Sequence, residues 1–192
     1  MIAISHYESP LGTVLLAAKE KSLIGLRITP QTADLSKYRE PIQEQPQNPV
    51  LLAAKSRLDR YFAGENPSIN ELPLNPIGNE FSQTVRNLLK TIPYGKTTSY
   101  GAIAQQVASI KGIKKMSAQA IGGAVGRNPI AIIIPCHRVI GKSGALVGYT
   151  GGLDLKIALL QHENNTSTPW SPSNGHPQPP PANFPWLSKK LS

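Results

Sequence analysis

The hydrophobic pattern of the chain changes near residue 77, and this change limits the folds that the sequence can adopt. Before it, the chain alternates in short runs separated by polar turns, which is typical of an antiparallel β meander. These runs cover residues 2–7, 13–18 and 22–28. After it, apolar residues such as Phe81, Val85 and Leu88 recur at helical spacing. The sequence therefore predicts an α/β (α+β) protein with a small β lobe followed by a helical lobe.

The first lobe is predicted to contain one helix after the meander. Apolar residues share one face from Val50 onward, and Gly64 is a suitable stop. A Pro-rich connection with one short strand is expected at residues 65–78. The predicted domains are an amino-terminal lobe, a second lobe and a Pro-rich flexible tail with little hydrophobic periodicity. Their bounds are 1–77, 78–163 and 164–192.

Two short helices joined by a basic loop are predicted in the second lobe. Ser99 is suited to cap the first helix, and the second runs from Ser117 to Gly126. Gly122 and Gly123 lie inside the second helix and each weaken it by about 1 kcal/mol relative to alanine. Either the protein tolerates this cost, or some group approaches the helix backbone closely at these positions.

The charge of the chain limits its partners. Lys and Arg outnumber Asp and Glu by 20 to 11, and the pI is near 9.8, which favours nucleic acid or an acidic membrane surface. One cysteine excludes an internal disulfide and a Cys-rich zinc site, and the histidines lack metal-ligand spacing. We expect no metal and a reducing compartment. With no signal peptide and no long apolar run, the chain is predicted to be soluble and intracellular.

The single cysteine, Cys136, lies in the stretch IIIPCHRVIG. A lone cysteine is usually an inert core residue, but a thiolate beside a base or a positive charge is a nucleophile, and His137 and Arg138 follow Cys136 directly. In an extended strand Cys136 and His137 would point to opposite faces, so they can act together only through a turn after Pro135 or through a water. A histidine base also needs a third group, and the residues leave Asp154 and Glu163 open for this role.

The flanks of this stretch carry a family resemblance. IPCHRVIG, preceded by GGAVGRNPIAI and followed by GYTGGLDLKIALLQHE, resembles the active-site region of the O6-alkylguanine-DNA alkyltransferases, also called methylated-DNA–protein-cysteine methyltransferases. The resemblance extends from about Phe81 to Glu163. It implies a ribonuclease-H-like amino-terminal lobe and a helix-turn-helix DNA-binding motif in the second lobe.

The resemblance also implies a reaction. The alkyl group of O6-alkylguanine in DNA, and less readily that of O4-alkylthymine, would pass irreversibly to Cys136 after the base is flipped out, in a single turnover. No cofactor is expected, and no dinucleotide fingerprint or P-loop is present in the sequence. The implied partner is double-stranded DNA approached from the minor groove. A monomer with no membrane association is expected, in the cytoplasm or, in a eukaryotic source, the nucleus.

Individual roles follow from the same resemblance. Cys136 corresponds to the alkyl acceptor, His137 to a base acting through a water, and Glu163 to the carboxylate that orients the histidine. Tyr100 corresponds to the residue that helps to swing out the target nucleotide and donates to the guanine ring. Asn128 corresponds to the residue that ties the recognition helix to the active-site loop. The residues that line or contact the base are Val139, Tyr149, Thr150 and Lys156.

A further group of residues is expected to face DNA. The small residues that suit close packing in the minor groove are Ala118, Ala120, Gly122 and Gly123. The expected phosphate contacts are Lys111, Lys114, Lys115 and Arg127. Gln119 stands where the family often places an arginine that fills the space of the flipped base. Because glutamine has no charge and less stacking area, weaker or differently selective DNA binding is expected.

Simpler interpretations of these residues exist. Tyr100 fits an amphipathic core residue, and Asn128 fits a helix stop before Pro129. Lys156 and the loop lysines fit solvated charges. The alternative function is a non-catalytic, alkyl-lesion-sensing DNA-binding protein; Cys136 argues against it, because such sensors replace the acceptor cysteine. A thiol hydrolase is a third possibility, and it would turn over repeatedly.

Overall fold

A computed structural model describes residues 1–28 and 38–164 of the chain. Strands are concentrated in the first part and helices in the second, so the predicted α/β (α+β) class is confirmed. The predicted tail lies outside the described residues from residue 165 onward. No helix in these two ranges combines the length and the apolar character that crossing a membrane requires.

The described residues form two compact units. The first unit comprises Met1–Ile77 and Pro129–Ala131, and the second comprises Gly78–Asn128 and residues 132–164. The chain therefore leaves the second unit after Asn128, contributes three residues to the first, and returns at Ile132.

The first unit is built on a four-stranded sheet in the order β3-β2-β1-β4. Its strands are β1 (Ile2–Ser9), β2 (Gly12–Lys19), β3 (Ser22–Ile28) and β4 (Ile42–Glu44). The first three pair in antiparallel fashion, which confirms the predicted meander, whereas β4 pairs in parallel with β1 and is absent from the sequence predictions.

Both faces of this sheet are covered. All five residues 14–18 of β2 are buried, although successive side chains of a strand point to opposite faces. One helix, α1 (Pro49–Phe62), packs against β1, β2 and β3. A separate cluster joins Ile2, Ala17 and Ile24 to Tyr38 and Ile42. The sequence of β2 is therefore a continuous apolar run and does not alternate between apolar and polar residues.

The ends of α1 agree with the sequence prediction. Asn48 caps its first turn by accepting from the amides of Val50 at 3.0 Å and Leu51 at 3.4 Å. The helix ends just before Gly64, which adopts a φ of +93°. The predicted strand within 65–78 is reduced to one parallel bridge between Leu74 and Leu23.

Helices dominate the second unit. They are α2 (Glu80–Leu89), α3 (Tyr100–Lys111), α4 (Ala118–Gly126) and α5 (Leu153–Asn164), of which α5 is absent from the sequence predictions. Two short strands, β5 (Thr98–Ser99) and β6 (Val139–Ile140), pair in parallel. Ser99 caps α3 through the Ala102 amide at 3.0 Å, and Ser117 caps α4, so the predicted helix-loop-helix is confirmed.

Candidate active site

Cys136 lies in a single 3-10 turn, Cys136–Arg138, directly after Pro135. The predicted turn after this proline is therefore confirmed. The three isoleucines before it are buried but form a turn rather than a strand, and Ile132 has a φ of +66°. A positive φ is rare for a β-branched residue, so the surrounding structure must hold the backbone here. The isoleucine run anchors the turn in the protein core.

The turn brings His137 to a carboxylate. His137 is fully buried, and its Nε2 lies 2.6 Å from Oε1 of Glu163 on α5. Asp154, the other carboxylate left open by the sequence, is exposed near the start of the same helix. Nδ1 of His137 is also buried and has no hydrogen-bond partner among residues 1–28 and 38–164. This nitrogen is therefore the one that can exchange a proton with a neighbouring group.

Glu163 carries a buried negative charge. It is 5% exposed, and it accepts from Arg138 at 2.8 and 2.9 Å and from the amide of Gly95 at 3.2 Å. Burial alone would raise the pKa of Glu163, but the charges and hydrogen bonds of His137 and Arg138 outweigh it and hold the pKa well below its usual range. The carboxylate therefore stays ionised and can stabilise a proton on His137.

The thiol itself is not pre-ionised. Cys136 is 6% exposed, and burial raises the pKa of its thiol, while Asn128, Tyr149 and the charge of Lys156 act in the opposite direction. Because burial dominates, the thiolate is a minor species at neutral pH. Nucleophilic chemistry at Cys136 therefore needs a base.

Lys156 is buried beside this thiol. Its Nζ donates to the carbonyl oxygens of Val139 at 2.6 Å and Val147 at 3.0 Å, and lies 3.5 Å from Oη of Tyr100. Burial lowers the pKa of Lys156 to about 8, and the Cys136 charge opposes this shift. A lysine with no exposed surface is not a solvated charge, so that interpretation is wrong.

Tyr100 begins α3 and is half-buried. Its hydroxyl donates to the carbonyl oxygens of Val147 at 3.1 Å and Gly148 at 3.3 Å. Burial, and then the charge of Cys136, raise the pKa of Tyr100 to about 12. The phenol therefore stays protonated near neutral pH and can act as a hydrogen-bond donor.

Two side chains connect the end of α4 to the loops around Cys136. Asn128 is buried, and its Nδ2 donates to the Ile134 carbonyl at 2.8 Å. Thr150 donates through Oγ1 to the carbonyl of Gly126, the last residue of α4. Asn128 is thus more than a helix stop, because it fixes the backbone two residues before the cysteine.

We expect Asn128→Ala to destabilise the protein by about 1–3 kcal/mol, because the buried Ile134 carbonyl loses this donor. Chemistry at Cys136 should slow by about tenfold as the turn loosens. Urea unfolding and a single-turnover rate measure the two effects. Asn87→Ala, at an exposed position of α2, is the matched control and should change stability by less than about 0.5 kcal/mol. An unchanged rate in Asn128→Ala would contradict the positioning role.

The residues expected to face DNA differ from this buried group in their exposure. The exposed ones are Lys114, Lys115, Ala118, Gln119, Ala120 and Arg127. Gly122 and Gly123 are half-buried. Lys111 lies 3.5 Å from Glu80, so this lysine already has an acidic partner. The opposite side of α4 is apolar and buried.

The active-site side chains do not form a metal centre. Within residues 1–28 and 38–164, no group of three or more His, Cys, Asp or Glu side chains is arranged to hold a metal ion. The buried His137 bonds instead to Glu163, and Glu163 also accepts from Arg138. What the geometry offers is a thiol, a base and a proton donor.

Comparison with known proteins identifies the family. The profile described as 6-O-methylguanine DNA methyltransferase, ribonuclease-like domain, matches residues 2–76, and the DNA binding domain of the same enzyme matches residues 80–165. A methylated-DNA–protein-cysteine methyltransferase of Mycobacterium leprae is 44% identical over 165 residues, which cover 86% of this chain and 94% of the relative. The chain belongs to the methylated-DNA–protein-cysteine methyltransferase family.

Other relatives agree with this assignment. A methylated-DNA–protein-cysteine methyltransferase of Methanosarcina acetivorans is 42% identical over 83% of this chain and 96% of its own length. The crystal structure of Mycobacterium tuberculosis OGT in complex with DNA superposes with a TM-score of 0.73 at 42% identity, covering 85% of this chain and 93% of that one. The family resemblance and the predicted ribonuclease-like and DNA-binding lobes are confirmed.

One residue of this methyltransferase family member was missed by sequence analysis, which treats Arg138 only as a nearby charge. Arg138 is buried, binds both oxygens of Glu163, and donates to the Ile92 carbonyl at 2.6 Å. Its guanidinium also lies 5.6 Å from the ring centroid of Tyr94. The signal that could have identified it is a permanently charged side chain in a stretch that is otherwise apolar, since a buried arginine needs a carboxylate.

Proposed function

We propose that this chain is a methylated-DNA–protein-cysteine S-methyltransferase that repairs DNA by moving the alkyl group of O6-alkylguanine to Sγ of Cys136. The observation that supports this proposal is a buried cysteine in the same short turn as His137, whose ring is bonded to Glu163. A thiol with a raised pKa needs such a base, and an ionised carboxylate makes the histidine a better one.

The first step removes the thiol proton. It passes through a water to Nδ1 of His137, while Glu163 keeps Nε2 bonded and stabilises the imidazolium. The nearby charge of Lys156 stabilises the thiolate that forms, in agreement with its effect on the Cys136 pKa. Asn128 holds the turn in place during this step.

The second step transfers the alkyl group. Sulfur forms a bond to the alkyl carbon as the carbon–O6 bond breaks, and the electron pair of that bond passes to the purine. Tyr100 donates a proton to the departing guanine and recovers one from His137 through solvent. The products are guanine and a thioether on Cys136. No side chain in the sequence can cleave a thioether, so each molecule acts once.

The substrate is double-stranded DNA with the alkylated base flipped out of the stack. Flipping costs a few kcal/mol, and less for a badly paired base. The flipped base is held by Val139, Tyr149, Thr150 and Lys156. O4-alkylthymine is a poorer second substrate.

The exposed side of α4 enters the minor groove. Ala118, Ala120, Gly122 and Gly123 allow close approach there, while Lys114, Lys115 and Arg127 bind phosphates. Gln119 fills the space of the flipped base. The proposal includes a monomer in the cytoplasm, or in the nucleus of a eukaryotic source. It also divides the chain into a β-meander and helix lobe at 1–77, a DNA-binding and alkyl-acceptor lobe at 78–163 and a Pro-rich tail at 164–192.

The test is intact-mass spectrometry after mixing the protein with one equivalent of duplex that contains O6-methylguanine. We expect a gain of one methylene, located on Cys136 by peptide mapping, absent in Cys136→Ala and never exceeding one per protein. Binding to the lesion duplex without a mass gain would favour the lesion sensor. Neither binding nor mass gain, together with repeated ester hydrolysis, would favour the thiol hydrolase.

A further inference from the structure

The side chain of Arg127 lies against the backbone of α4. A Cβ built on Gly123 would stand 3.2 Å from one terminal nitrogen of the Arg127 guanidinium and 3.5 Å from the other. Arg127 follows the last residue of α4, and helical side chains lean toward the amino terminus, so its guanidinium reaches back one turn. Gly123 therefore provides the space in which the guanidinium rests.

This contact lies on the side of α4 that does not face the core. Ile121, Ala124 and Val125 form the buried side of the helix. Gln119 and Gly123 are four residues apart and share the opposite side, so the guanidinium lies one turn along the helix from Gln119.

The two glycines of α4 meet different neighbours. A Cβ on Gly122 would lie 3.9 Å from the Tyr100 ring, which is ordinary van der Waals contact. At Gly123 the 3.2 Å approach is tighter than most Cβ contacts. In the protein without DNA, the group that lies close to Gly123 is therefore the Arg127 guanidinium.

The Arg127 guanidinium has no hydrogen bond or ion pair with any residue in the ranges 1–28 and 38–164. This contrasts with Lys111, which has Glu80 as an acidic partner. An exposed guanidinium without a carboxylate, held against a helix rather than extended into solvent, is suited to bind an anion such as a DNA phosphate.

We propose that Gly123 and Arg127 act as a pair, in which the missing side chain at Gly123 places the Arg127 guanidinium on the DNA-facing side of α4. There it binds a backbone phosphate and supplies the positive charge that Gln119 lacks. This inference rests on the proposed function in one respect, namely that α4 faces the duplex. Arg127 is the binding residue of the pair, and Gly123 is the positioning residue.

The test is a double-mutant cycle of binding affinity to the O6-methylguanine duplex, in a Cys136→Ala background that cannot react. Affinities are measured between about 50 and 200 mM salt. Arg127→Ala should weaken binding and make the slope of log K against log salt shallower by about one. Gly123→Ala should weaken binding at least threefold with Arg127 present, and less than twofold with Arg127→Ala. Lys21→Ala, an exposed charge in the turn after β2, is the matched control and should leave the slope unchanged.

Three other outcomes would overturn the proposal. If Gly123→Ala weakens binding equally in both backgrounds, the glycine serves the approach of DNA and not Arg127. If Arg127→Ala leaves the salt slope unchanged, Arg127 binds no phosphate. Alanine is the better helix former, so thermal unfolding should show Gly123→Ala at least as stable as its parent; a less stable variant would mean that the helix itself needs this glycine.

The proposed function is tested separately. With Cys136 intact, the matched control Lys21→Ala should gain one methylene as the wild type does. If the wild type becomes methylated while the double-mutant cycle shows no coupling, only the proposed pairing of Gly123 with Arg127 is contradicted. If the wild type neither binds the lesion duplex nor becomes methylated on Cys136, both the proposed function and the proposed pairing are contradicted.

Discussion

Replacing Glu163 with glutamine is expected to slow methyl transfer to Cys136 by about 10²- to 10⁴-fold, the upper value being the loss seen when the carboxylate behind the histidine of a catalytic triad becomes an amide. The carboxylate accepts from His137 and from two nitrogens of Arg138. An amide has only one oxygen to offer, and its NH₂ group would face donors. The His137 ring would then lose both its orientation and the charge that stabilises its protonated form.

The same substitution should destabilise the fold by about 3–5 kcal/mol, because Arg138 would be left as a buried charge without a counter-ion. A single-turnover rate and urea unfolding measure the two effects. Asp154→Asn is the matched control, since it makes the same chemical change at an exposed position of the same helix. It should alter the rate by less than about twofold and stability by less than about 1 kcal/mol. A Glu163→Gln rate within threefold of wild type would contradict the role of Glu163 in supporting His137 as the base.

The lowered pKa of Glu163 also predicts how the stability of the fold responds to acid. Its folded-state pKa lies below the unfolded value of about 4.5, so its stabilising effect is complete above that pH and declines as the pH falls. Wild-type stability should therefore drop as the pH is lowered from about 5 to 3, and less steeply in Glu163→Gln.

The second large effect is expected from Lys156→Met, which keeps most of the side-chain volume but removes the charge. Methyl transfer should slow by about 10²-fold, since the thiolate loses a preorganised positive charge. The Val139 and Val147 carbonyls also lose the Nζ donor that joins them. Lys142→Met, an exposed lysine near Cys136 in sequence, is the matched control and should leave the rate within about twofold.

The pH dependence of stability tests the lowered pKa of Lys156, because Lys156→Met removes only this titrating group. Its pKa falls from 10.5 to about 8 on folding, so between these values the unfolded chain binds more protons and wild-type stability gains with rising pH. Lys156→Met lacks this gain. Wild-type stability minus that of Lys156→Met, from urea unfolding, should increase between pH 8 and 10.5, the interval between the two pKa values. A stability difference that stays constant over this pH interval would contradict the lowered pKa of the buried Lys156.

Local signals explain why some of these features were predictable. Ser99 and Ser117 are helix caps whose partners lie two or three residues away, and Pro135 determines the turn that follows it. Such features depend on neighbours in the sequence, so the meander, the helix-loop-helix and the turn at Cys136 were predicted.

Features that depend on distant residues were not. Arg138 reaches Glu163 across 25 residues and Ile92 across 46, and neither contact leaves a periodic pattern. The β4 strand has only three residues and forms by pairing with β1. Lys156 looks like a surface charge until the carbonyl oxygens that bind it are known. The role of Glu163 could be assigned only through the family resemblance.

The short excursion of the chain through Pro129–Ala131 has a consequence for evolution and engineering. Within the first unit, Pro129 accepts from the Leu26 amide at 2.8 Å, and Ala131 donates to the Leu26 carbonyl at 2.9 Å. Pro129 and Ala131, which precede Cys136 in the chain, are therefore bonded to the β3 strand of the first unit. A fragment that begins at Gly78 would carry these backbone groups with no strand to satisfy them. Recombination or truncation that moves the acceptor lobe alone is therefore expected to remove these two backbone hydrogen bonds from the segment that precedes Cys136.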